Sequence, residues 1–444
     1  MVGAGIAGLT AAFTLKRRGI PVRVYEATGR VGGVIRSTLR DGYLAEAGPN
    51  TILETSPAIA RLVEEAGLAS RRIDPDPRSE TRFVVRGGKP VPVPSGALGM
   101  ITTPLLSLRA KLAVLREPFV SPRRDGAEES VAGFVTRRLG REFVDRMVDA
   151  LVAGIYAGDP EALSLTHAFP RLKALEDEYG SLLRGQIFGA AKRRRSGEVA
   201  KDRAPKFSFD EGLQVLPDAL ARHLGDAVVL STPVTSIVRS GSAWRPAPGE
   251  EHAAVILCGT APGMAGMSVD GVSLAPLAEI RYPPVASVVL GFRREDVAHP
   301  CTGFGMLIPR LEGFRILGAI FSSSLFPDRA PAGHLTLTCY VGGERQPELA
   351  SRSEDELYGI VAEDLRALLG ATGAPTFSSC AFYPRAIPQY NVGYGRFKDL
   401  MADVERYCPG VFFAGHTVDG VSLGDSIASG VRAADRAAAW RDSS

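Results

Sequence analysis

Cysteine is sparse in this 444-residue chain: five residues, at 258, 301, 339, 380 and 408, with no C-x-x-C pair. Their odd number and wide spacing exclude a disulfide frame and a zinc site, and predict free thiols in a reducing compartment. The six histidines show no metal-ligand spacing, so no metal site is expected. No apolar run approaches the roughly 18 residues of a spanning helix. No charged start leads into an apolar run of the kind that marks a secretory signal. The net charge of +3 gives no argument for a nucleic-acid partner. Paired carboxylates, a Ser/His/Asp order, internal repeats and a low-complexity tail are all missing, which removes acid–base hydrolysis, triad chemistry and solenoids from consideration.

What is present is an ordinary globular balance, 45% apolar and 23% charged residues, in a chain long enough for two or three domains. The most informative stretch is Val2-Gly-Ala-Gly-Ile-Ala-Gly-Leu9. Gly3, Gly5 and Gly8 fit G-x-G-x-x-G, with helical spacing from Gly8 to Arg18 and a strand Pro21–Glu26 ending in an acid. Such glycines permit a tight turn, close approach of a pyrophosphate and close helix–strand packing, while the acid accepts ribose hydroxyls. A second run, Arg30-Val-Gly32-Gly33, brings more backbone and a guanidinium toward the same diphosphate. Met1-Val2 leaves little of the strand that should precede the motif: either the start is misassigned or truncated, or the nucleotide site is missing a support.

Further along, Asp41-Gly42 reads as a hairpin turn, Glu46–Asn50 as a loop after a strand, and Pro57–Gly67 as a helix. Thr81–Val85 and Lys89–Pro94 flank Gly87-Gly88 as an edge hairpin. From Leu98 to about Arg203 the pattern is helical. Leu98–Leu112 reads either as a membrane-surface element or as a pair of short core helices. Lys192–Arg195 with Lys201, Arg203 and Lys206 forms a basic loop, either solvated or attracted to anionic lipid or an acidic substrate. Strands are expected at Ala227–Leu230, Val234–Val238, Ala253–Leu257, Ala286–Phe292, Gly305–Ile308, Ile316–Ile320 and Leu335–Val341. Helices are expected at Glu354–Leu369 and from about Gly424 to Trp440, with a strand Val411–Gly415 between them. Nucleotide-domain character at both ends suits a flavoprotein of the amine-oxidase-like group. No second G-x-G-x-x-G marks a nicotinamide site, so the substrate itself is the expected reductant.

The chain resembles the oxygen-dependent protoporphyrinogen oxidases along essentially its whole length. The resemblance is carried by Gly48-Pro-Asn50, Arg82-Phe83 before Val91–Ser95, and Gly154-Ile-Tyr-Ala-Gly-Asp-Pro160. It continues through Phe209–Gln214, Gly303-Phe-Gly305, Phe326–Pro331, Tyr340-Val-Gly-Gly343 and Gly420-Val-Ser-Leu. It implies an α/β (α+β overall) architecture. A split Rossmann-like FAD-binding domain (1–81, 204–262, 401–444) would be joined by an antiparallel-sheet substrate domain (82–94, 263–400) and a helical membrane-binding domain (95–203). The membrane-surface reading of Leu98–Leu112 is then favoured.

For non-covalent FAD, the resemblance implies Gly3, Gly5, Ala7, Gly8 and Glu26, then Arg30, Gly32, Gly33 and Val34, and Gly48, Pro49 and Asn50. Val234, placed in a strand, would meet the adenine by its backbone, and Gly415, Gly420, Val421 and Ser422 would lie against the flavin. For substrate it implies Arg82 on a propionate, Leu307, Ile320 and Tyr340 around a pyrrole ring, and the Gly154 carbonyl toward pyrrole N–H groups. A guanidinium fork suits a carboxylate. No catalytic base is assigned, because flavin N5 takes the hydride, and His416 in the flavin loop is read as structural.

The implied reaction is oxidation of protoporphyrinogen IX to protoporphyrin IX in three two-electron steps, with O2 as acceptor and H2O2 as product. It implies a cytoplasmic protein held peripherally at the cell membrane, with room for a homodimer and for hand-off to the next porphyrin-pathway enzyme. The rivals are coproporphyrinogen III oxidation, another amine-oxidase or carotenoid-desaturase-like flavoenzyme, and an inactive FAD-binding scaffold. Three departures bear on FAD: the short first strand, a compressed 239–275 segment, and Glu211 where the family has glycine, which predicts a carboxylate near the flavin.

Overall fold

The computed structural model describes residues 1–94, 99–100, 102–188 and 204–443. Of the basic loop, Lys192–Arg195, Lys201 and Arg203 lie outside the described residues, as does part of Leu98–Leu112.

A parallel sheet is assembled from distant stretches of the chain. Val24–Tyr25 pairs with Val228–Val229 on one side, and Val255–Leu257 pairs with Val411–Phe413 on the other. Val2 joins the two halves, bridging in parallel to Tyr25 and to Leu257. Its N–H donates to the Ile256 carbonyl (2.9 Å), its carbonyl accepts from Cys258 N–H (2.9 Å), and Gly3 N–H donates to the Tyr25 carbonyl (2.8 Å). The short first strand therefore has the full hydrogen bonding of a central position. The first helix, Ile6–Arg17, and the last, Leu423–Ser443, pack against this sheet. They approach closely at Gly430, where a Cβ would fall 2.4 Å from the Ala7 carbonyl oxygen.

A seven-stranded sheet forms the other main layer, in the order Phe377–Tyr383, Val285–Arg293, His334–Gly342, Ile316–Ile320, Gly305–Leu307, Arg82–Arg86 and Lys89–Pro92. Its pairs are antiparallel apart from Arg82–Arg86 beside Gly305–Leu307. The side-chain period of two sorts its residues. Ala286, Val288, Leu290, Leu337, Cys339, Met306 and Ala319 face one core, covered by helix Glu354–Leu369. That helix starts at a Ser353/Glu356 capping box and stops at left-handed Gly370. The opposite face carries Tyr340, Gly318, Leu307, Ile320 and Arg82.

Helices fill most of the described part of 99–188, from Leu108–Arg116 to Pro170–Tyr179. Helix Asp149–Tyr156 lies over the second sheet face and is fixed there by a buried ion pair. Asp149 accepts from the Arg345 guanidinium (2.8 Å) and from Arg310 N–H (2.7 Å), while Arg345 also donates to the Ile308 carbonyl (2.6 Å). The strand expected at Val234–Val238 begins at Ser236, so Val234 lies in the loop before it, where Thr232-Pro233 delays the extended pairing. Strand Phe377–Tyr383 and helix Gly395–Tyr407 were not anticipated.

Removing one partner of a buried ion pair leaves the other charge desolvated. Arg345→Met is therefore expected to lower unfolding free energy by about 3–5 kcal/mol, measured as the shift in the urea unfolding midpoint at constant slope.

Candidate active site

The nucleotide cradle begins where Val2 leaves the sheet. Gly3 has φ +104°, a conformation that strongly favours glycine. A Cβ on Gly8 would sit 2.0 Å from the Gly3 carbonyl oxygen, so the turn closes only without a side chain there. Gly5 caps the first helix with no side chain and with open space where a Cβ would go. This leaves helical N–H groups free for a phosphate. Glu26 follows the adjacent strand: Oε2 accepts Ala4 N–H (2.7 Å), and Oε1 accepts Thr28 N–H (2.8 Å) and Thr28 Oγ1 (2.7 Å). A carboxylate has about four acceptor positions, so capacity for a sugar hydroxyl remains. Thr232 N–H donates to the Glu26 carbonyl (2.7 Å), which brings the Val234 loop alongside.

Arg30 sits at the edge of the Gly32-Gly33 loop. It donates to the carbonyls of Val31, Gly33 and Ile35, bracing the Gly32-Gly33 loop from within. Gly33 comes close to Gly5, since a Cβ on it would lie 3.5 Å from the Gly5 Cα. Glu211 departs from its expectation. Its side chain is 69% exposed and pairs with Arg71 (2.5 Å), on the outside of the Phe209–Gln214 turn. The strand ends at Phe209, and the turn that follows aims Glu211 at solvent and the Gly212 backbone inward. The carboxylate that does lie inside this turn is Glu46. It accepts Ser37 Oγ (2.7 Å) and Leu213 N–H (2.8 Å), and burial outweighs these bonds and the Arg329 charge to push it up to about 7.

The C-terminal loop is held from behind by tyrosines. Gly415 N–H donates to Ser429 Oγ (2.8 Å), and a Cβ on Gly415 would meet Ala7 Cβ at 3.5 Å. Tyr390 donates to the His416 carbonyl and accepts Gly420 N–H (3.1 Å), while Tyr394 donates to the Thr417 carbonyl (2.7 Å). Tyr282 meets His416 Nε2 at 3.2 Å, and desolvation holds that imidazole down at about 4, so it is neutral near pH 7. Ser422 starts the last helix: its Oγ accepts Asp425 N–H (3.1 Å). Val421 lies between, half-buried. None of the three tyrosines was singled out from sequence. The cluster of Tyr383, Tyr390, Tyr394 and Phe397, in a chain only 7% aromatic, was the available signal.

The candidate substrate residues meet across the inner sheet face. Leu307 pairs with Gly318, which pairs with Tyr340; Arg82 pairs with Gly305, which pairs with Ile320. Gly154 comes down on this face, where a Cβ would fall 2.4 Å from Leu307 Cδ2. Leu151 and Ile155, apolar and exposed, lie on the same helix as Gly154 and were not anticipated. Arg82 is exposed at one end of the cleft, 5.6 Å from the Phe304 ring centroid. Among the described residues it has no carboxylate partner. At the other end Tyr340 reaches Asn50 (2.8 Å) and the Gly48 carbonyl (3.1 Å), and Pro49 lies between those two. The Val34 carbonyl accepts Tyr383 Oη (3.3 Å) and lies directly beneath Gly48. The two candidate sets thus share one wall.

A glycine-closed cradle, with a second loop behind it and an apolar sheet cleft adjoining it, is the arrangement of a flavin-dependent oxidoreductase. The profile of the flavin containing amine oxidoreductases matches residues 6–438, and the chain belongs to that family. It is 36% identical to protoporphyrinogen oxidase 2 of Arabidopsis thaliana over all of this chain and 94% of that protein. It is 29% identical to coproporphyrinogen III oxidase of Bacillus subtilis over 97% and 95% of the two chains. Among solved structures, a protein from Exiguobacterium provisionally named protoporphyrinogen oxidase superposes with a TM-score of 0.82 at 25% identity, covering 99% of this chain and 98% of that one. Reduced UDP-galactopyranose mutase, at 0.73 and 16% identity over 99% and 94%, shares the fold alone.

Two expectations follow from the geometry. Gly8→Ala forces Cβ against a backbone carbonyl, so the purified variant should carry less than about a tenth of the wild-type flavin absorbance, a loss of about 1.4 kcal/mol or more in binding. For Glu46 the folded value, about 7, exceeds the ordinary 4.5. The folded protein then holds a proton that the unfolded chain has released, and stability falls as pH rises through that window. Urea midpoints at pH 4.5 and 7.5 should show a loss on the order of 3 kcal/mol that Glu46→Gln largely abolishes.

Proposed function

We propose that this protein oxidises protoporphyrinogen IX to protoporphyrin IX, using FAD held without a covalent bond and O2 as the final acceptor, with H2O2 released. The observation that carries the reading is the shared wall. The apolar cleft of Gly154, Leu307, Ile320 and Tyr340 abuts the Gly48–Asn50 loop of the nucleotide cradle, and Arg82, with no carboxylate partner among the described residues, stands at its exposed end. FAD would supply a two-electron acceptor for hydride from a methylene bridge of the macrocycle.

The chain's own part is to bind, orient and exclude water. Gly3, Gly5 and Gly8 leave room for the diphosphate, with the N–H groups of the first helix facing it, and Glu26 takes the ribose. The loops at Gly32–Val34, Gly48–Asn50, Val234 and Gly415–Ser422 complete the enclosure. Arg82 would bind a propionate through its fork, while Leu307, Ile320 and Tyr340 hold a pyrrole ring by contact area. The Gly154 backbone carbonyl would accept pyrrole N–H groups. No protein base is required, because loss of hydride acidifies the pyrrole N–H. Coproporphyrinogen III is the second reading, favoured by the 29% identical relative of that name; the higher identity to protoporphyrinogen oxidases puts protoporphyrinogen first.

We also place the protein peripherally on the cytoplasmic membrane surface. Leu108, Leu112 and Leu115 recur at helical spacing and are 73%, 52% and 63% exposed, with Phe119 beyond them at 83%. Arg109, Lys111 and Arg116 lie on the same helix. An exposed apolar stripe among cations suits anionic lipid. No helix among the described residues is long and apolar enough to cross a membrane.

The reading is tested by mixing the purified flavoprotein anaerobically with protoporphyrinogen or coproporphyrinogen, then admitting oxygen. Flavin bleaching followed by porphyrin fluorescence supports it, and the faster substrate decides between the two; flavin that neither substrate bleaches removes it. Arg82→Ala should raise KM about 10- to 100-fold, equivalent to about 1.5–3 kcal/mol for a charged hydrogen bond, with kcat little changed. Replacing Leu108, Leu112, Leu115 and Phe119 by serine should abolish co-sedimentation with anionic vesicles and leave the protein folded by circular dichroism.

A further inference from the structure

Tyr340 has an unusual setting for a ring that forms one wall of a cleft. On the inner sheet face its paired neighbours are Gly318 on one side and Ser287 on the other. The ring packs on the small cluster of Ala153, Ala157, Val285 and Leu317, but the glycine and serine directly opposite it are too small to wedge it from the sides, where cross-strand neighbours normally set a side chain's orientation. The hydroxyl supplies what the neighbours lack. It accepts from Asn50 Nδ2 (2.8 Å) and donates to the Gly48 carbonyl (3.1 Å), and the second Asn50 N–H donates to that same carbonyl (3.2 Å). Burial raises the phenol's pKa, so it remains a donor. Ser287 Oγ, buried beside it, has no hydrogen-bond partner and does not compete.

The far end of this link is stiff. Asn50 is buried, and a Cβ on Gly48 would fall 2.6 Å from the Val34 carbonyl oxygen, so the loop rests directly on backbone. That Val34 oxygen in turn accepts the hydroxyl of Tyr383, from the outermost strand of the same sheet.

We propose that the Tyr340 hydroxyl is a positioning group: through Asn50 and Gly48 it holds the substrate-facing ring in fixed register with the loop at the cofactor cleft. The proposal rests on the functional reading above and adds to it a separation of two jobs on one side chain. The ring supplies contact area, which phenylalanine would keep; the hydroxyl supplies orientation, which phenylalanine would lose. Orientation acts on the rate of the chemical step rather than on affinity.

The test compares wild type, Tyr340→Phe, Asn50→Ala and the double variant as purified flavoproteins. Anaerobic rapid mixing with protoporphyrinogen measures the limiting rate of flavin reduction and the half-saturating concentration. In Tyr340→Phe the limiting rate should fall about tenfold, while half-saturation stays within about threefold. The double variant should be no slower than Asn50→Ala, because the two side chains act as one unit. Independently of turnover, amide hydrogen exchange at Gly48, Asn50 and Thr51 should quicken about tenfold in Tyr340→Phe. An unchanged limiting rate, losses that multiply in the double variant, or unchanged exchange would overturn the positioning role. Wild-type flavin that no porphyrinogen reduces would overturn the functional reading instead, and the exchange data would still decide whether the hydroxyl ties the loop.

Discussion

The contact between the Gly8 backbone and the Gly3 carbonyl is the constraint on which the rest of the molecule depends. It turns the chain from the centre of a parallel sheet straight into a helix, with no side chain between phosphate site and backbone. Because Val2 bonds on both sides, strands from opposite ends of the sequence are brought into one sheet around that turn. The same closeness recurs at Gly430 against Ala7, which sets the last helix beside the first and carries the Gly415–Ser422 loop to the cradle. Parallel strands need long crossovers, and here those crossovers are large enough to hold the second sheet and the helical segment.

The second sheet divides its labour by face. One face is sealed by helix Glu354–Leu369 and is ordinary core. The other, where Gly291, Gly305, Gly318 and Gly342 lie among larger side chains, leaves a cleft between helix Asp149–Tyr156 and the nucleotide loops. Holding that cleft open requires rigid edges. Asp149 with Arg345 supplies one edge, and the hydroxyls of Tyr340 and Tyr383 on the Gly48 and Val34 carbonyls supply the other. The tyrosines behind the Gly415–Ser422 loop do similar work, satisfying backbone carbonyls that would otherwise be buried without donors.

Much of this architecture was legible in local pattern. The G-x-G-x-x-G turn with Glu26, helix Glu354–Leu369 and strand Ile316–Ile320 each carry their signal within a few residues, because periodicity and glycine placement act locally. The edge Phe377–Tyr383 was not, since Phe-Ser-Ser-Cys-Ala-Phe-Tyr has little apolar alternation and becomes a strand by pairing with Val285–Arg293. Glu211 shows the opposite failure. Its position in a motif suggested a carboxylate at the flavin, whereas the turn faces it outward to Arg71 and leaves Glu46, distant in sequence, as the buried acid.

By itself the sequence determined the class of cofactor fold and the family resemblance, because both reside in short backbone requirements that few residues other than glycine, or an acid at a strand end, can meet. Only the tertiary structure decided which side chains share a wall. That Gly154 rests on Leu307, that Tyr340 is bound to Asn50, and that Leu108, Leu112 and Leu115 stay exposed are consequences of strand register and helix placement. These relations join residues up to 290 positions apart, and no local propensity encodes them. They follow from which helices and loops each sheet face is packed against.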